Sequence, residues 1–172
     1  MSESAIVVAT SCPESHRELI VPVLESAGLT MFDDNLSGWY DSLFQDTDVE
    51  HNLTATTVQP DVASIEKVAS LLSEKNGTSR LLADNRNLYL LDFWAKFLTE
   101  ARFLLFYTQP ETTVAYNLLQ GNRTPQEIIE AWQATNRQLI RFQQRHHDRA
   151  ILLDAELAAQ EIHALAGICG QI

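Results

Sequence analysis

Residues 102–117 read Arg-Phe-Leu-Leu-Phe-Tyr-Thr-Gln-Pro-Glu-Thr-Thr-Val-Ala-Tyr-Asn, and the fold is decided in this stretch. Residues 103–107 are a continuous apolar run, too short to cross a membrane and closed by Thr108-Gln109-Pro110. Such a run predicts a strand buried on both faces, as in a parallel sheet. Pro110 cannot donate to a ladder, yet it suits the first turn of a helix. Val114, Ala115, Leu118 and Leu119 then recur at helical spacing. The chain therefore leaves a buried strand and turns straight into a helix at the sheet's carboxyl edge, where open α/β sheets bind ligands.

Upstream, residues 88–100 carry Leu91, Trp94, Ala95 and Leu98 at helical spacing, and residues 79–83 read as a weaker strand. Residues 61–75 predict an amphipathic helix with Asp61 as N-cap, an Ile65, Val68, Leu71 and Leu72 stripe, and Asn76-Gly77 as its stop. Residues 32–60 are polar, studded with aromatics and without clear period; their length suggests an inserted, lid-like cover. At the start, residues 5–10 are another buried-strand candidate and 11–15 a loop. Residues 16–27 read as a helix stopped by Gly28, with Pro22 predicting a kink or a late start. Residues 29–31 suit a short extended piece.

Downstream, Thr124-Pro125-Gln126-Glu127 is a capping box that opens a helix to about Arg145, with Ile128, Trp132, Leu139 and Phe142 on its core stripe. Residues 150–153 predict a strand and 156–166 a last helix. Strands alternating with helices give a three-layer α/β domain over residues 1–172, with a mostly parallel sheet of four to five strands.

At 172 residues such a chain buries roughly 70% of its unfolded surface. Its formal net charge of −11, with no basic block, argues against nucleic acid and anionic membranes as partners. Cys12 and Cys169 are the only cysteines, which fits a reducing compartment. Met-Ser-Glu-Ser at the start lacks the basic region of a signal peptide, so a cytoplasmic location is expected. His146-His147 have no ligand partners at metal spacing and read as a solvated helix end; no metal is expected. Cys12 reads as an inert thiol. Trp94 and Trp132 read as core, whereas Trp39, Tyr40 and Phe44 fall on no evident stripe, so they suggest either a cover or a surface for a partner or self-association.

Taken in order, five stretches resemble landmarks of bacterial P-loop sulfotransferases that act on carbohydrates or other small acceptors. Residues 5–29 resemble the opening strand, phosphate loop and helix, and 33–52, with Gly38-Trp39-Tyr40, the acceptor-side insert. Asp84-Asn85-Arg86 followed by Leu91-Asp92-Phe93-Trp94 is similar to the family's Lys-Asp-Pro-Arg segment and its helix. Residues 101–119 resemble the second cofactor stretch, and 124–141, with Trp132 and Asn136, the long Trp-containing helix. The resemblance implies a 3′-phosphoadenosine 5′-phosphosulfate donor site at Pro13, Ser15, His16, Arg17, Asp84, Arg86, Thr108 and Pro110. It also implies a first strand lying between the strands at 103–107 and 150–153.

The departures lie at the anion. Where the family's phosphate loop reads approximately Pro-Arg-Ser-Gly-Thr-Ser, this chain has Pro13-Glu14-Ser15-His16-Arg17-Glu18. His16 replaces the glycine that lets backbone amides approach a phosphate, and two carboxylates flank the helix start. Thr108 stands for the arginine that grips the 3′-phosphate, Tyr116 for a serine, and Ala83 and Asn85 for the lysine and proline. The expectation is a catalytically degenerate domain that binds no donor and acts as a binding or assembly module in carbohydrate modification. The alternative is an active sulfotransferase in which Arg17 and Arg86 hold the donor and His51 deprotonates the acceptor hydroxyl. Asp84 and Arg86 fit either a ligand site or a salt-bridged pair holding their loop.

Overall fold

The computed structural model describes residues 5–11, 17–32, 35–45, 57–73, 79–120 and 123–169. Five parallel strands form one sheet in the order β2-β3-β1-β4-β5. They are β1 (Ile6–Ser11), β2 (Thr30–Met31), β3 (Arg80–Ala83), β4 (Arg102–Tyr107) and β5 (Ala150–Asp154). The helices are α1 (Arg17–Ser26), α2 (Asn35–Phe44), α3 (Val62–Ser73), α4 (Asn87–Phe97), α5 (Pro110–Gln120), α6 (Pro125–Arg145), α7 (Ala155–Gln160) and α8 (Ile162–Cys169).

The alternation of side chains along each strand divides the core in two. Val7, Ala9, Leu81, Ala83, Leu104 and Phe106 face α1, α7 and α8. Val8, Leu82, Phe103 and Leu105 face the other way, onto α2, α3, α4 and α6. Successive residues Phe103, Leu104 and Leu105 are all fully buried, as a doubly covered strand requires. No helix of the described residues is long and apolar enough to cross a membrane.

Several local readings hold to the residue. Thr124 accepts a hydrogen bond from the Glu127 amide, and the Glu127 carboxylate accepts one from the Thr124 amide at 2.8 Å. The Asp61 carboxylate accepts from the Ser64 amide at 2.8 Å. Gly28 ends α1 at φ +95°, with Leu29 N–H donating to Leu24 O and Gly28 N–H to Glu25 O. That pairing needs a left-handed residue, which glycine supplies without strain. His146 caps the end of α6 with its ring 4.5 Å from that of Phe142, and His147 beside it is exposed.

Four expectations are corrected. β1 lies between β3 and β4, not between β4 and β5. β4, buried from Phe103 to Phe106, takes an inner position, and β5, exposed at Ile151, takes the edge. The last helix is two, broken at Glu161 (φ −99°, ψ 56°) between α7 and α8. Pro22 gives no late start, because α1 already runs from Arg17. The lid-like stretch contains α2, whose Leu36, Trp39, Tyr40 and Phe44 are buried.

That burial removes Trp39, Tyr40 and Phe44 as a contact surface. Trp39 is 1% exposed, its ring centroid 5.0 Å from Tyr40 and 5.5 Å from Trp94, and its Nε1 donates to the Ser64 carbonyl at 2.9 Å. Trp39→Ala is expected to cost about 3–5 kcal/mol by chemical denaturation. Its sedimentation should match that of the wild type; unchanged stability with altered association would restore the surface reading.

Candidate functional site

The parallel strands end at one carboxyl edge, where the end of β1 lies between the turn after β3 and the end of β4. The turn after β3 is held to β1 by side chains: Thr10 Oγ1 donates to the Asn85 carbonyl at 3.2 Å, and Ser11 Oγ to Asn85 Oδ1 at 2.9 Å. Among the described residues a cavity of about 20 Å³ lies beside them, lined in part by Thr10, Ser11, Ile20, Asp84, Asn85 and Phe106. That is about the space of one water.

Asn87, the first residue of α4, is wholly buried with both ends of its amide paired. Its Nδ2 donates to Leu82 O at 2.9 Å and Ala9 O at 3.1 Å, so one group bridges the ends of β3 and β1. Its Oδ1 accepts from the Tyr40 hydroxyl at 2.5 Å and from Trp94 Nε1 at 2.8 Å. Two donors and two acceptors meet an amide that offers the complementary set. The site lacks an evident sequence signature, because Asn87 stands in Asn-Arg-Asn, which reads as turn residues.

Arg86 answers the question left open for it and Asp84. Its Nε and Nη2 donate to the two Asp84 carboxylate oxygens at 2.9 Å each, and its Nη1 donates to Asp41 of α2 at 2.6 Å. The guanidinium also lies 4.9 Å from the Tyr40 ring centre. Burial opposes the charge, but the hydrogen bonds to Asp84 and Asp41 and the attraction of their carboxylates outweigh it and raise the arginine's pKa further. The pair holds the loop after β3 and pins it to α2, so Asp41 completes a cluster that spacing alone did not reveal.

At the end of β4, Thr108 is fully buried, its Oγ1 sharing a hydrogen bond of 2.8 Å with Thr113 Oγ1. The Thr108 carbonyl accepts from Trp132 Nε1 at 2.8 Å, which fixes α6 to this corner. Pro110 opens α5 as expected. Gln109 donates to Asp154 at 3.0 Å, and Thr112 to Glu156, tying α5 to the β5–α7 corner. Desolvation and the Asp154 carboxylate raise the pKa of Tyr107 beside it. Tyr116, the counterpart of the family's serine, is exposed on α5.

The structure thus brings Asp84, Arg86, Thr108 and Pro110 to the carboxyl edge, with Arg86 directed at carboxylates and Thr108 into the interior. Cys12, Pro13, Ser15, His16 and His51 lie outside the described residues, and Arg17 is described only as the first residue of α1.

The fold is that of solved sulfotransferase domains. The sulfotransferase domain of the Synechococcus PCC 7002 olefin synthase matches with a TM-score of 0.66 at 15% identity, over 96% of this chain and 71% of that one. A sulfotransferase domain from the curacin biosynthetic pathway matches with a TM-score of 0.57 at 10% identity, over 98% of this chain and 73% of that one. No family model matches the sequence, and no curated protein does. At such identities the likeness is one of fold.

The Asn87 amide gives the site its test. Asn87→Ala removes the four hydrogen bonds of a buried amide, each worth on the order of 1 kcal/mol, so a loss of about 3 kcal/mol is expected. Asn87→Asp places a carboxyl among groups that need a donor, so its folded pKa rises above the ordinary value of about 3.9. The penalty relative to wild type is then smallest below that value and grows as pH rises through the folded pKa. Urea denaturation between pH 4 and 8 measures it, and a penalty independent of pH would contradict the assignment.

Proposed function

We propose that this chain is a sulfotransferase-like domain that no longer holds a sulfuryl donor and serves as a binding or assembly module. The observation that carries the reading is the pairing of Arg86. A donor of the 3′-phosphoadenosine 5′-phosphosulfate class needs cations and free backbone amides turned toward its phosphates. Arg86, a counterpart of the family's donor-binding arginine, instead donates to Asp84 and Asp41. Taking it for a phosphate would leave two carboxylates beside the anion.

Two further features support the same reading. Thr108, which stands where the family has a phosphate-gripping arginine, is buried against Thr113. The cavity described beside Thr10, Ser11 and Asn85 measures about 20 Å³, about the space of one water. The pairing of Arg86 and the burial of Thr108 favour a domain that holds no donor. The setting carried from the resemblance is modification of a carbohydrate or other small acceptor, and a small-molecule biosynthetic setting is favoured by the origin of the two similar domains.

The test is a thermal melt with 3′-phosphoadenosine 5′-phosphosulfate and with adenosine 3′,5′-bisphosphate, paired with amide NMR of Thr10, Ser11 and Thr108. A ligand at 100 times its Kd stabilises by about 2.7 kcal/mol, or a rise of about 5–10 °C at this size. No saturable rise and no shift at those amides is expected. A saturable rise accompanied by shifts there would restore the active sulfotransferase.

A further inference from the structure

The sheet ends differently on its two sides. One edge strand, β2, has only Thr30 and Met31; the other, β5, runs from Ala150 to Asp154 and pairs with β4 alone. The Phe103 N–H donates to the Arg149 carbonyl at 2.8 Å, with Phe103 in register with Ala150. Along a strand the backbone groups of successive residues point to opposite sides. Ile151 and Leu153 therefore bond β4, while Leu152 turns its N–H and C=O outward. Among the described residues no hydrogen bond reaches either group of Leu152.

Sheets usually guard such an edge with lysine, proline or a bulge. β5 reads Ala-Ile-Leu-Leu-Asp, keeps an unbroken register with β4, and carries no charge before Asp154. Ile151 is 38% exposed on it.

A second feature falls on the same flank. Of the large apolar side chains exposed among the described residues, all but Val62 lie on α5, α6, β5 or α7. α4 meets α6 through Gln138 and Arg145, and Ile140 sits roughly 150° round the helix from both, on the β5 side. Thr112, Tyr116 and Leu119 share one face of α5 by helical spacing, and Thr112 donates to Glu156, the neighbour of Leu157. Leu119 is 87% exposed and Leu157 59%.

The occupant follows from the chemistry of the edge. Free ladder groups take an extended strand, and an uncharged apolar strand suits an apolar partner. A second copy of β5 meets both conditions. Laid antiparallel with Leu152 opposite Leu152, the two residues exchange N–H···O bonds, and each Asp154 falls opposite an Ala150. The carboxylates then sit at opposite ends of the seam, so like charges do not face each other. A two-fold axis through Leu152 makes the contact closed.

We propose that β5 is a self-association edge, through which two copies of this chain pair antiparallel and join their five-stranded sheets into one. Ile151 and Leu157 on one face of the sheet and Ile140 on the other flank the seam and lose solvent on pairing. The seam is short, so association is weak, and each copy's net charge of −11 opposes it until salt screens the repulsion. This goes beyond the donor-loss reading and depends on none of its residues.

The experiment is sedimentation equilibrium of the whole chain together with amide hydrogen exchange by NMR, each across a concentration series. A dimer with Kd on the order of 10 μM is expected, tightening as salt is raised. The Leu152 amide should exchange fast in dilute protein and at least tenfold more slowly in concentrated protein, while that of Ile151 stays protected throughout. Ile151→Lys and Ile140→Lys should each weaken the dimer at least tenfold while dilute protein keeps its fold. The wild-type Leu152 amide is a readout that needs no variant to fold. The edge is overturned by protein still monomeric at about 100 μM, by a Leu152 amide already slow in the dilute monomer, or by a dimer that leaves that amide fast. A dimer unchanged in both variants overturns it too. None of these outcomes bears on the nucleotide titration at the strand ends.

Discussion

One side-chain amide holds the carboxyl edge of this domain's sheet together. Asn87 touches the carbonyls that end β1 and β3, the hydroxyl of Tyr40 from α2, and the indole of Trp94 on its own helix. A buried amide with every group satisfied is stabilising and specific in register, whereas the same amide half satisfied would be costly. The start of α4, the placement of α2 and the pairing of two central strands are therefore coupled. Trp39 packs against Tyr40 and Trp94, so the aromatic core of that layer is built around the same point.

The neighbouring groups follow from that anchor. With α2 docked by Tyr40, Asp41 comes within 2.6 Å of Arg86, and Asp84 already holds the guanidinium from the other side. At the edge that in an open α/β sheet receives ligands, the described residues Thr10, Ser11, Asn85, Asp84, Arg86 and Asp41 are paired with one another. The domain thus keeps the layered fold of sulfotransferase domains, with Arg86 paired to two carboxylates at the strand ends.

The strand–helix alternation, the capping box at Thr124, the Asp61 cap and the Gly28 stop were legible because each depends on a few adjacent residues. Strand order was not, since it depends on which strand can leave a face exposed; Ile151 on β5 is the residue that decides it. Helix α2 was missed although Leu36, Trp39, Tyr40, Leu43 and Phe44 do follow helical spacing, because Ser37, Gly38 and Asp41 weaken its intrinsic propensity. Tertiary burial of three aromatic rings outweighs that deficit. The candidate site was legible in part: Asp84 and Arg86 were picked out as a pair, but Asp41 and Asn87 join them only through contacts distant in sequence.

The central claim is that Arg86 is held by its own protein and not kept for a ligand. Its Nε–H exchange rate and guanidinium rotation, followed by NMR with and without millimolar adenosine 3′,5′-bisphosphate, test this most directly. The account predicts slow exchange, hindered rotation and no response to the nucleotide, with faster rotation in Asp41→Asn. Rapid rotation in the free protein, or a saturable change on adding the nucleotide, would contradict it.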